Sequence, residues 1–256
     1  MKHMLKLHDI HFSIENKTIL DGVSANFAPG KIHGIIGPNG SGKSTIMKNI
    51  CRIWEPQTGT ILIHDKDYRS IPRKELSRIV TLVPQHTTVG FPIPVYDIVA
   101  MGRNPHLGRF ESLKKTDEEK IEWALKQTNI YELKDRNINE LSGGESQLSI
   151  IARAFATEAA FILLDEPTSE LDIKHTLAII SILYTLKEQG RTILVTMHDL
   201  NLARRFCDTI SIIHQGKIFF SGLPEQAFSE NNIRQVFEVN VREIKKDSAV
   251  FLDFYQ

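Results

Sequence analysis

The first thirty residues alternate apolar and polar positions in a way that predicts β-strands. Apolar side chains recur at nearly every second residue from Leu5 to Ile14 and again from Val23 to Phe27. This is the period of a strand that buries one of its two faces. Turn-forming residues at 15–17 and 28–30 separate the apolar segments. We therefore predict antiparallel strands in this part of the chain.

Farther along, apolar runs without alternation indicate strands that are buried on both faces. Such runs occur at 32–36, 161–164, 192–196 and 210–213, and the segments 60–64 and 79–83 are further strand candidates. Segments with helical periodicity, such as 44–53 and 174–189, separate several of them. Strands joined through helices predict a mostly parallel sheet covered by helices on both faces. The predicted fold class is therefore α/β, with an antiparallel β subdomain at its N-terminal end.

The middle of the chain has helical rather than strand periodicity, most clearly from Pro94 to Leu133. A run of charged residues at 114–120 is typical of a solvated helix start. We predict a helical subdomain at about 90–158, inserted into the α/β core of one domain that spans 1–256. Residues 223–256 are expected to form a C-terminal extension with two short helices and a hairpin.

Composition excludes some classes of partner. The 256 residues contain 31 Lys+Arg and 31 Asp+Glu, so the net charge is zero. A nucleic-acid partner is not expected, because such proteins usually carry a basic excess. No apolar run approaches the ~18 residues of a membrane-spanning helix, and the first residues turn polar too soon for a secretory signal. Cys51 and Cys207 lie far apart, and we expect reduced, structural thiols.

Residues 37–44 match the phosphate-binding pattern G-x-x-x-x-G-K-[ST] at every fixed position. Glycines let successive backbone N–H groups turn toward an anion, and a helix beginning near Gly42 adds its positive end. Lys43 would reach the terminal phosphates of a nucleotide, and Ser44 would bind Mg²⁺. A Gly-rich turn without a ligand is the alternative, but the strand before it and the helix after it favour phosphate binding. The residues expected to bind ATP are Gly37, Pro38, Asn39, Gly40, Ser41, Gly42, Lys43, Ser44 and Thr45.

Two predicted strands end in residues suited to hydrolysis. Asp165 and Glu166 follow the apolar run 161–164, at the sheet edge where ligands of α/β proteins bind. We expect Asp165 to bind Mg²⁺ and Glu166 to polarise the attacking water. A solvated turn after the strand would give the same pattern, but the phosphate-binding motif favours function. His198 follows the run 192–196 in the same way and would sense the γ-phosphate.

The segment 141–145, with the sequence Leu-Ser-Gly-Gly-Glu, lies between the phosphate-binding motif and the acidic strand end. With these motifs, the chain from about Leu5 to Gly222 resembles the ATPase subunits of ABC transporters. The resemblance implies a P-loop NTPase core with an inserted helical subdomain, the ABC ATPase fold. It also implies two copies packed head to tail around two ATP molecules. Ser142, Gly143 and Gly144 would then face the γ-phosphate held by the opposite copy.

Further positions match family motifs one by one. The resemblance implies that Gln85 contacts Mg²⁺ and the attacking water and links the catalytic site to the membrane partner. It implies that Asp172 crosses the dimer interface. Phe12, 25 residues before Gly37, would stack on adenine, although an apolar residue on an alternating strand is often part of the core. Two positions depart from the family pattern: Glu170 replaces a common Ala, and Ser146 replaces a common Arg.

The run 91–110 indicates which class of ABC transporter the chain resembles. Its pattern V-x-D-x-V-x-x-G-R-x-P-H-x-G-x-F resembles ATPases of iron–siderophore, haem and cobalamin importers. This implies membrane permease subunits as partners, a substrate-binding protein acting indirectly, and a peripheral position on the cytoplasmic face of the membrane. A ferric siderophore is the first choice of substrate, ahead of haem, cobalamin and other chelates. Aromatic and proline residues interleaved with Arg103 and Arg109 predict a groove for a partner helix, unless they form only a proline-broken loop.

Three other functions share part of this sequence pattern. A soluble ABC ATPase acting on DNA or ribosomes usually has a long coiled coil or two cassettes, whereas only 99 residues separate Lys43 from Ser142. A purely structural or regulatory module would not need Glu166 and His198. An exporter would use the same chemistry, and only the run 91–110 favours import.

Overall fold

A computed structural model of the protein describes residues 4–85, 87, 89–169, 171–246 and 249–255. These residues divide into two compact units. Unit 1 comprises the described parts of Met1–Ser70 and Thr192–Gln256, and unit 2 comprises those of Ile71–Arg191. Across the described ranges, every helix is too short or too polar to span a bilayer.

The N-terminal half of unit 1 is an antiparallel sheet, as predicted. It contains β1 (Leu5–Ile14), β2 (Lys17–Phe27), β4 (Thr58–Ile63) and β5 (Lys66–Asp67), in the order β2-β1-β4-β5. Most of the alternating apolar residues of β1 and β2 are buried, including Leu5, Leu20 and Val23 at 0% exposure, whereas Ile14 at the end of β1 is 43% exposed. The period of two therefore arises because one face of this sheet supplies the core.

The other sheet of unit 1 is mostly parallel. Its strands are β3 (Ile32–Ile36), β8 (Thr192–Thr196), β9 (Thr209–His214) and β10 (Lys217–Gly222), in the order β10-β9-β3-β8. β3 runs parallel to both β8 and β9, and β10 closes the edge as an antiparallel hairpin with β9. Every residue of β3 and β8 is buried, which explains why their sequences do not alternate.

Helix α1 (Lys43–Ile50) begins at the end of the phosphate-binding motif and is shorter than predicted. The sequence predicted a helix to Ile53, but Arg52 has a φ of +57°. The amides of Arg52 and Ile53 bond back to Asn49 O and Lys48 O. The left-handed residue reverses the chain and ends the helix within one turn of Ile50.

The C-terminal end of unit 1 contains the predicted helices and hairpin. These elements are α8 (Pro224–Ala227), α9 (Glu230–Phe237), β11 (Asn240–Lys246) and β12 (Ala249–Tyr255). The hairpin is fastened to α7 (Leu200–Phe206) through Asn201. This side chain donates to Leu252 O at 3.1 Å and accepts from Leu252 N at 2.6 Å.

Unit 2 combines a pair of parallel strands with a group of helices. Strands β6 (Val80–Val83) and β7 (Phe161–Leu164) pair in parallel. The helices are α2 (Arg73–Ile79), α3 (Val95–Ala100), α4 (Lys115–Gln127), α5 (Gly143–Ala156) and α6 (Ile173–Glu188). A 3₁₀ segment (Met101–His106) continues α3, and α5 packs against both α3 and α4. The predicted fold class, α/β with a mostly parallel sheet and added helices, is confirmed.

Candidate functional site

The phosphate loop, residues 37–45, connects β3 to α1 in unit 1 and has a shape that requires glycine. Gly37 has a φ of +155°, and a Cβ there would lie 2.1 Å from the carbonyl oxygen of Ile213. Gly42 has a φ of +111°, and its Cβ would lie 2.7 Å from Leu20 Cδ2. Any side chain at these two positions would displace a neighbour. The shape of the loop therefore depends on glycine at both positions.

The polar groups of this loop fit an anion. Lys43 is only 5% exposed, and its Nζ donates to Gly37 O at 2.9 Å and Pro38 O at 3.2 Å. Ser41 Oγ is buried without a hydrogen-bond partner among the described residues. No described side chain caps α1 at Gly42, so the first-turn amides face outward from the helix end. A buried ammonium, an unsatisfied hydroxyl and an uncapped helix N terminus suit a phosphate chain.

His198 lies near the same sheet edge as the phosphate loop. Ile35 on β3 is paired with Thr196 on β8, and both strands run in the same direction. His198 follows β8 by two residues and is exposed, whereas Met197 is buried. The next residue, Asp199, caps α7 by accepting from Leu202 N at 2.9 Å. This cap fixes the turn that carries the imidazole.

In unit 2 the ends of β6 and β7 bring Gln85 and Glu166 together. The register pairs Val83 with Leu164, and Asp165 N donates to Val83 O at 2.9 Å. Gln85 Nε2 donates to Glu166 Oε2 at 2.5 Å. Asp165 and Glu166 are 6% and 8% exposed. Two carboxylates are therefore buried at one strand end, and the amide of Gln85 holds the second of them.

The backbone at Glu166 is strained. Its φ is +49°, a left-handed conformation that non-glycine residues seldom adopt. Ser169 holds the following turn, since its amide and hydroxyl both bond to Glu166 O, at 3.1 and 2.9 Å. Strain of this kind is kept where the direction of a side chain matters for function.

The signature segment, residues 141–145, forms the start of α5. Ser142 is its N-cap: Ser142 Oγ accepts from Glu145 N at 3.3 Å, and Glu145 Oε2 accepts from Ser142 N at 2.9 Å and from Ser142 Oγ at 2.8 Å. These bonds, led by that from the Ser142 amide, hold the pKa of Glu145 below its usual range. No separate role for Glu145 was predicted from the sequence, although S-x-x-E before a helix is a capping-box signal. The box leaves Ser142 and Gly143 exposed at the helix tip.

Asp172 and the signature segment are linked through His175. Asp172 caps α6 and accepts from His175 N and His175 Nδ1, each at 2.8 Å. These bonds, first the one from the amide, lower the pKa of Asp172. The His175 ring lies against Gly144, where a Cβ would approach ring atoms to 2.9–3.0 Å. His175 was overlooked in the sequence because its partner across the fold is 31 residues away.

The other expected positions lie as follows. Phe12 is 7% exposed, and its ring stacks on Trp54 with 5.4 Å between centroids and 11° between planes. A ring packed in this way offers little surface to adenine, so the core interpretation of Phe12 is favoured and the adenine role stays a prediction. Ser146 donates its amide to Ser142 O within α5. Glu170 lies outside the described residues.

The predicted groove around Arg103 and Arg109 needs correction. Arg103 is buried at 7% exposure and makes its contacts inside unit 2, whereas Arg109 is exposed beside Phe110, which is 95% exposed. The two arginines therefore do not line one surface. Arg103 is a core residue because buried carboxylate and carbonyl groups satisfy its guanidinium.

Comparison with known proteins identifies the family. Residues 20–169 match the family model described as ABC transporter. The chain belongs to the ABC transporter family. This confirms the resemblance stated from the sequence, and it supports ATPase activity for the chain.

Individual ABC relatives extend the match beyond these residues. The chain is 35% identical over 224 residues to the cobalamin import ATP-binding protein of Halobacterium salinarum, covering 87% of this chain but only 56% of that protein. It is 36% identical over 226 residues to the iron(3+)-hydroxamate import ATP-binding protein of Bacillus subtilis, covering 88% and 84%. A solved metal-chelate type ABC transporter in an inward-facing conformation matches with a TM-score of 0.85 and 27% identity, over 99% and 97% of the two chains.

Proposed function

We propose that this chain is the ATP-hydrolysing subunit of an ABC importer that takes up a metal chelate, with a ferric siderophore as the first candidate. The observation that carries the catalytic part is the buried Glu166, held by Gln85 at the end of β7. The relatives named for iron-hydroxamate and cobalamin import support the transport part. The exposed tip of the signature segment supports a second copy of the chain as partner.

ATP would be bound by the phosphate loop. Lys43 would exchange its bonds to Gly37 O and Pro38 O for phosphate oxygens, and Ser41 Oγ would gain the partner that it lacks. Ser44, Gln85 and Asp165 would supply hydroxyl, amide and carboxylate oxygens, the kind of donor that Mg²⁺ prefers. The ion, when bound, would neutralise charge on the phosphates.

Glu166 would act as the general base. It would take a proton from water as the water oxygen bonds to the γ-phosphorus and the bond to the ADP oxygen breaks. Gln85, which donates to Oε2, would hold the carboxylate in place while another lone pair takes the proton. His198 would donate a hydrogen bond to the γ-phosphate. Ser142, Gly143 and Gly144 of a second copy would cover that phosphate, and Asp172 would cross the interface.

Membrane permease subunits are the proposed partners, with this chain bound at the cytoplasmic face of the membrane. Import of a ferric siderophore is preferred to import of cobalamin, haem or another chelate because the iron-hydroxamate relative matches over 84% of its length, the cobalamin relative over 56%. Such an assembly would receive its substrate from a substrate-binding protein that this chain never touches.

Replacing Glu166 by Gln tests the catalytic assignment. We expect ATP hydrolysis to fall by about 10²–10⁴-fold, the usual contribution of a general base, while ATP affinity stays within about twofold. Glu132→Gln, which changes an exposed glutamate of unit 2, is the matched control and should hydrolyse ATP normally. Normal hydrolysis by the Glu166→Gln protein would show that another group is the base.

The same Glu166→Gln protein tests the transport assignment. It is purified by affinity tag from detergent-solubilised native membranes, and co-purifying proteins are identified by mass spectrometry. A multi-helix permease is expected, and uptake of ferric hydroxamate, haem and cobalamin by cells with and without that permease then selects the substrate. Recovery of ribosomes, DNA or soluble proteins alone would remove the transport role and leave the ATPase chemistry in place.

A further inference from the structure

The 3₁₀ segment, Met101–His106, is joined to the C-terminal end of α5 by contacts that the proposed function does not explain. Gly102 lies so close to α5 that a Cβ there would be 2.2 Å from Arg153 O and 3.0 Å from Ala156 Cβ. The glycine therefore allows backbone to touch backbone. The G-R-x-P-H part of the sequence begins at this contact.

Arg103 makes the second contact. Its Nη1 donates to Ala156 O at 2.7 Å and to Glu158 Oε2 at 3.1 Å, and its Nε donates to Asp117 Oδ1 on α4 at 2.8 Å. Burial alone would raise the pKa of Asp117, but bonds from the Lys114 amide and from Arg103 hold it below its usual range. One guanidinium thus joins three elements, a task that its planar fork of donors permits.

His106 makes the third contact, because its Nε2 lies 2.9 Å from Thr157 O. A carbonyl only accepts, so Nε2 carries the proton and donates. Ala156 is the last residue of α5 and Thr157 is its C-cap, and carbonyls at a helix C-terminus have no partner within the helix. Arg103 and His106 fill these positions, and cationic or N–H groups are favourable there.

Helix α5 links the 3₁₀ segment at one of its ends to Ser142 at the other. α3 runs directly into the 3₁₀ segment, and both pack along α5. The 14 residues of α5 extend about 21 Å at 1.5 Å per residue. The end opposite the contacts carries Ser142 and the exposed signature segment. A displacement of the 3₁₀ segment would therefore be passed to the signature end, since a packed helix moves as a unit.

We propose that Arg103 and His106 are positioning residues that fasten the 3₁₀ segment to α5, so that movement imposed by the permease reaches Ser142. This inference rests on the proposed function for the source of that movement. The contacts that fasten the segment lie within this chain and can be tested without a permease. The transmission of movement from the permease needs a test of its own.

The first test measures amide hydrogen exchange in the isolated chain. We expect His106→Ala and Arg103→Lys to raise exchange in the last turn of α5, residues 153–157, by about fivefold or more, the effect of one lost hydrogen bond. Arg78→Ala is the matched control, because Arg78 Nε bonds Pro105 O at 2.7 Å on the α2 side of the same segment. It should leave 153–157 unchanged. Equal exchange of 153–157 in wild type, His106→Ala and Arg103→Lys would overturn the fastening.

The second test uses the assembly with the permease recovered by the purification above. We expect His106→Ala and Arg103→Lys to assemble normally and to hydrolyse ATP alone within about twofold of wild type, while permease stimulation falls about fivefold. His106→Gln keeps a donor at the position of Nε2 and should restore stimulation. If the loss came only from a structural defect, we would not expect this rescue.

The outcomes separate the two proposals. Full stimulation of His106→Ala and Arg103→Lys, or no rescue by His106→Gln, would overturn the positioning role. A wild-type chain that yields no permease, or gains no stimulation from it, would overturn the proposed function. In that case the hydrogen-exchange comparison still decides whether Arg103 and His106 fasten the segment to α5.

Discussion

Gly143 and Gly144 are adjacent in the signature segment, but only one of them is confined. A Cβ on Gly143 would meet nothing within 4 Å, whereas one on Gly144 would lie 2.9 Å from the His175 ring. We expect Gly144→Ala to lower the free energy of unfolding by about 1–3 kcal/mol, the usual cost of overpacking. Gly143→Ala should be neutral or slightly stabilising, because alanine favours helix. Urea unfolding of both variants measures the difference.

The His175→Ala background supplies the control for this prediction. Without the ring, the added methyl of Gly144→Ala has space, so the double variant should lose less than the sum of the two single changes. Additive losses would mean that the contact between Gly144 and His175 is not the cause.

His33 on β3 predicts a dependence of stability on pH. It is 3% exposed, and its ring lies 2.6 Å from Thr209 Oγ1 and 2.8 Å from Ala28 O. Burial lowers the pKa of His33 from 6.5. Below pH 6.5 the unfolded chain therefore binds a proton at His33 that the folded chain does not bind. The unfolding free energy falls as the pH drops toward the lowered pKa. Above about pH 7.5 this contribution disappears, because both states are neutral.

The measurement for His33 is urea unfolding between pH 5 and 8. His33→Gln should show a shallower decline of the unfolding free energy below pH 6.5 than the wild type, because it has no proton to bind there. An equal decline in both proteins would assign the pH dependence to other groups.

At the residue scale, candidate functional side chains could be predicted from the sequence, but the residues that they contact in the fold could not. The motif 37–45 and the strand-end pair Asp165 and Glu166 could be recognised, because each is local in the chain. The bond from Gln85 to Glu166 joins residues 81 apart, and no local pattern encodes it. The stacking of Phe12 on Trp54 could not be read from the sequence for the same reason, since that contact exists only in the folded sheet.

Among the elements, strands were predicted best. Burial on one face gives the alternating apolar pattern of β1, and burial on both faces gives the continuous apolar run of β3. Boundaries were predicted less well. Helix α1 stops at Ile50 because of the left-handed Arg52, and arginine carries no signal for that conformation. The helical character around 95–106 was visible, but its attachment to α5 was not, because that attachment depends on backbone carbonyls common to all residues.

The capping box of α5 gives a prediction for an element. Glu145→Ala removes the acceptor for the Ser142 amide and hydroxyl. We expect the unfolding free energy to fall by about 1 kcal/mol, a typical value for a lost cap. Glu145→Gln keeps an acceptor oxygen and should lose less. Thermal unfolding of the two variants is the measurement, and equal losses would assign the effect to charge rather than to the cap.

For the whole molecule, the C-terminal hairpin is a stabilising addition to unit 1. It buries Val241 and Leu252 to 5% and 4% exposure and bonds to Asn201. Removing residues 239–256 should lower the unfolding free energy by about 3–6 kcal/mol, at 1.5–3 kcal/mol for each of these two side chains. ATP affinity should stay within about twofold, because the described hairpin contacts lie on α7 and α9. Chemical unfolding and ATP titration measure both quantities.

Arg242→Ala is the control for the truncation. It removes a hairpin ion pair with Asp253 whose arginine side chain is 68% exposed. Such pairs contribute less than about 1 kcal/mol, so this variant should unfold nearly as the wild type does. A loss as large as that of the truncation would place the stabilisation in surface charge instead of burial.

The two carbonyl acceptors of Lys43 have a consequence for the proposed exchange of ADP for ATP. Because Gly37 O and Pro38 O can receive the ammonium, the departure of ADP would not leave a buried cation without a hydrogen-bond partner. The free-energy difference between the bound and unbound loop would then be smaller than the phosphate contacts alone would give. We therefore expect this arrangement to favour the release of ADP at the end of each proposed cycle.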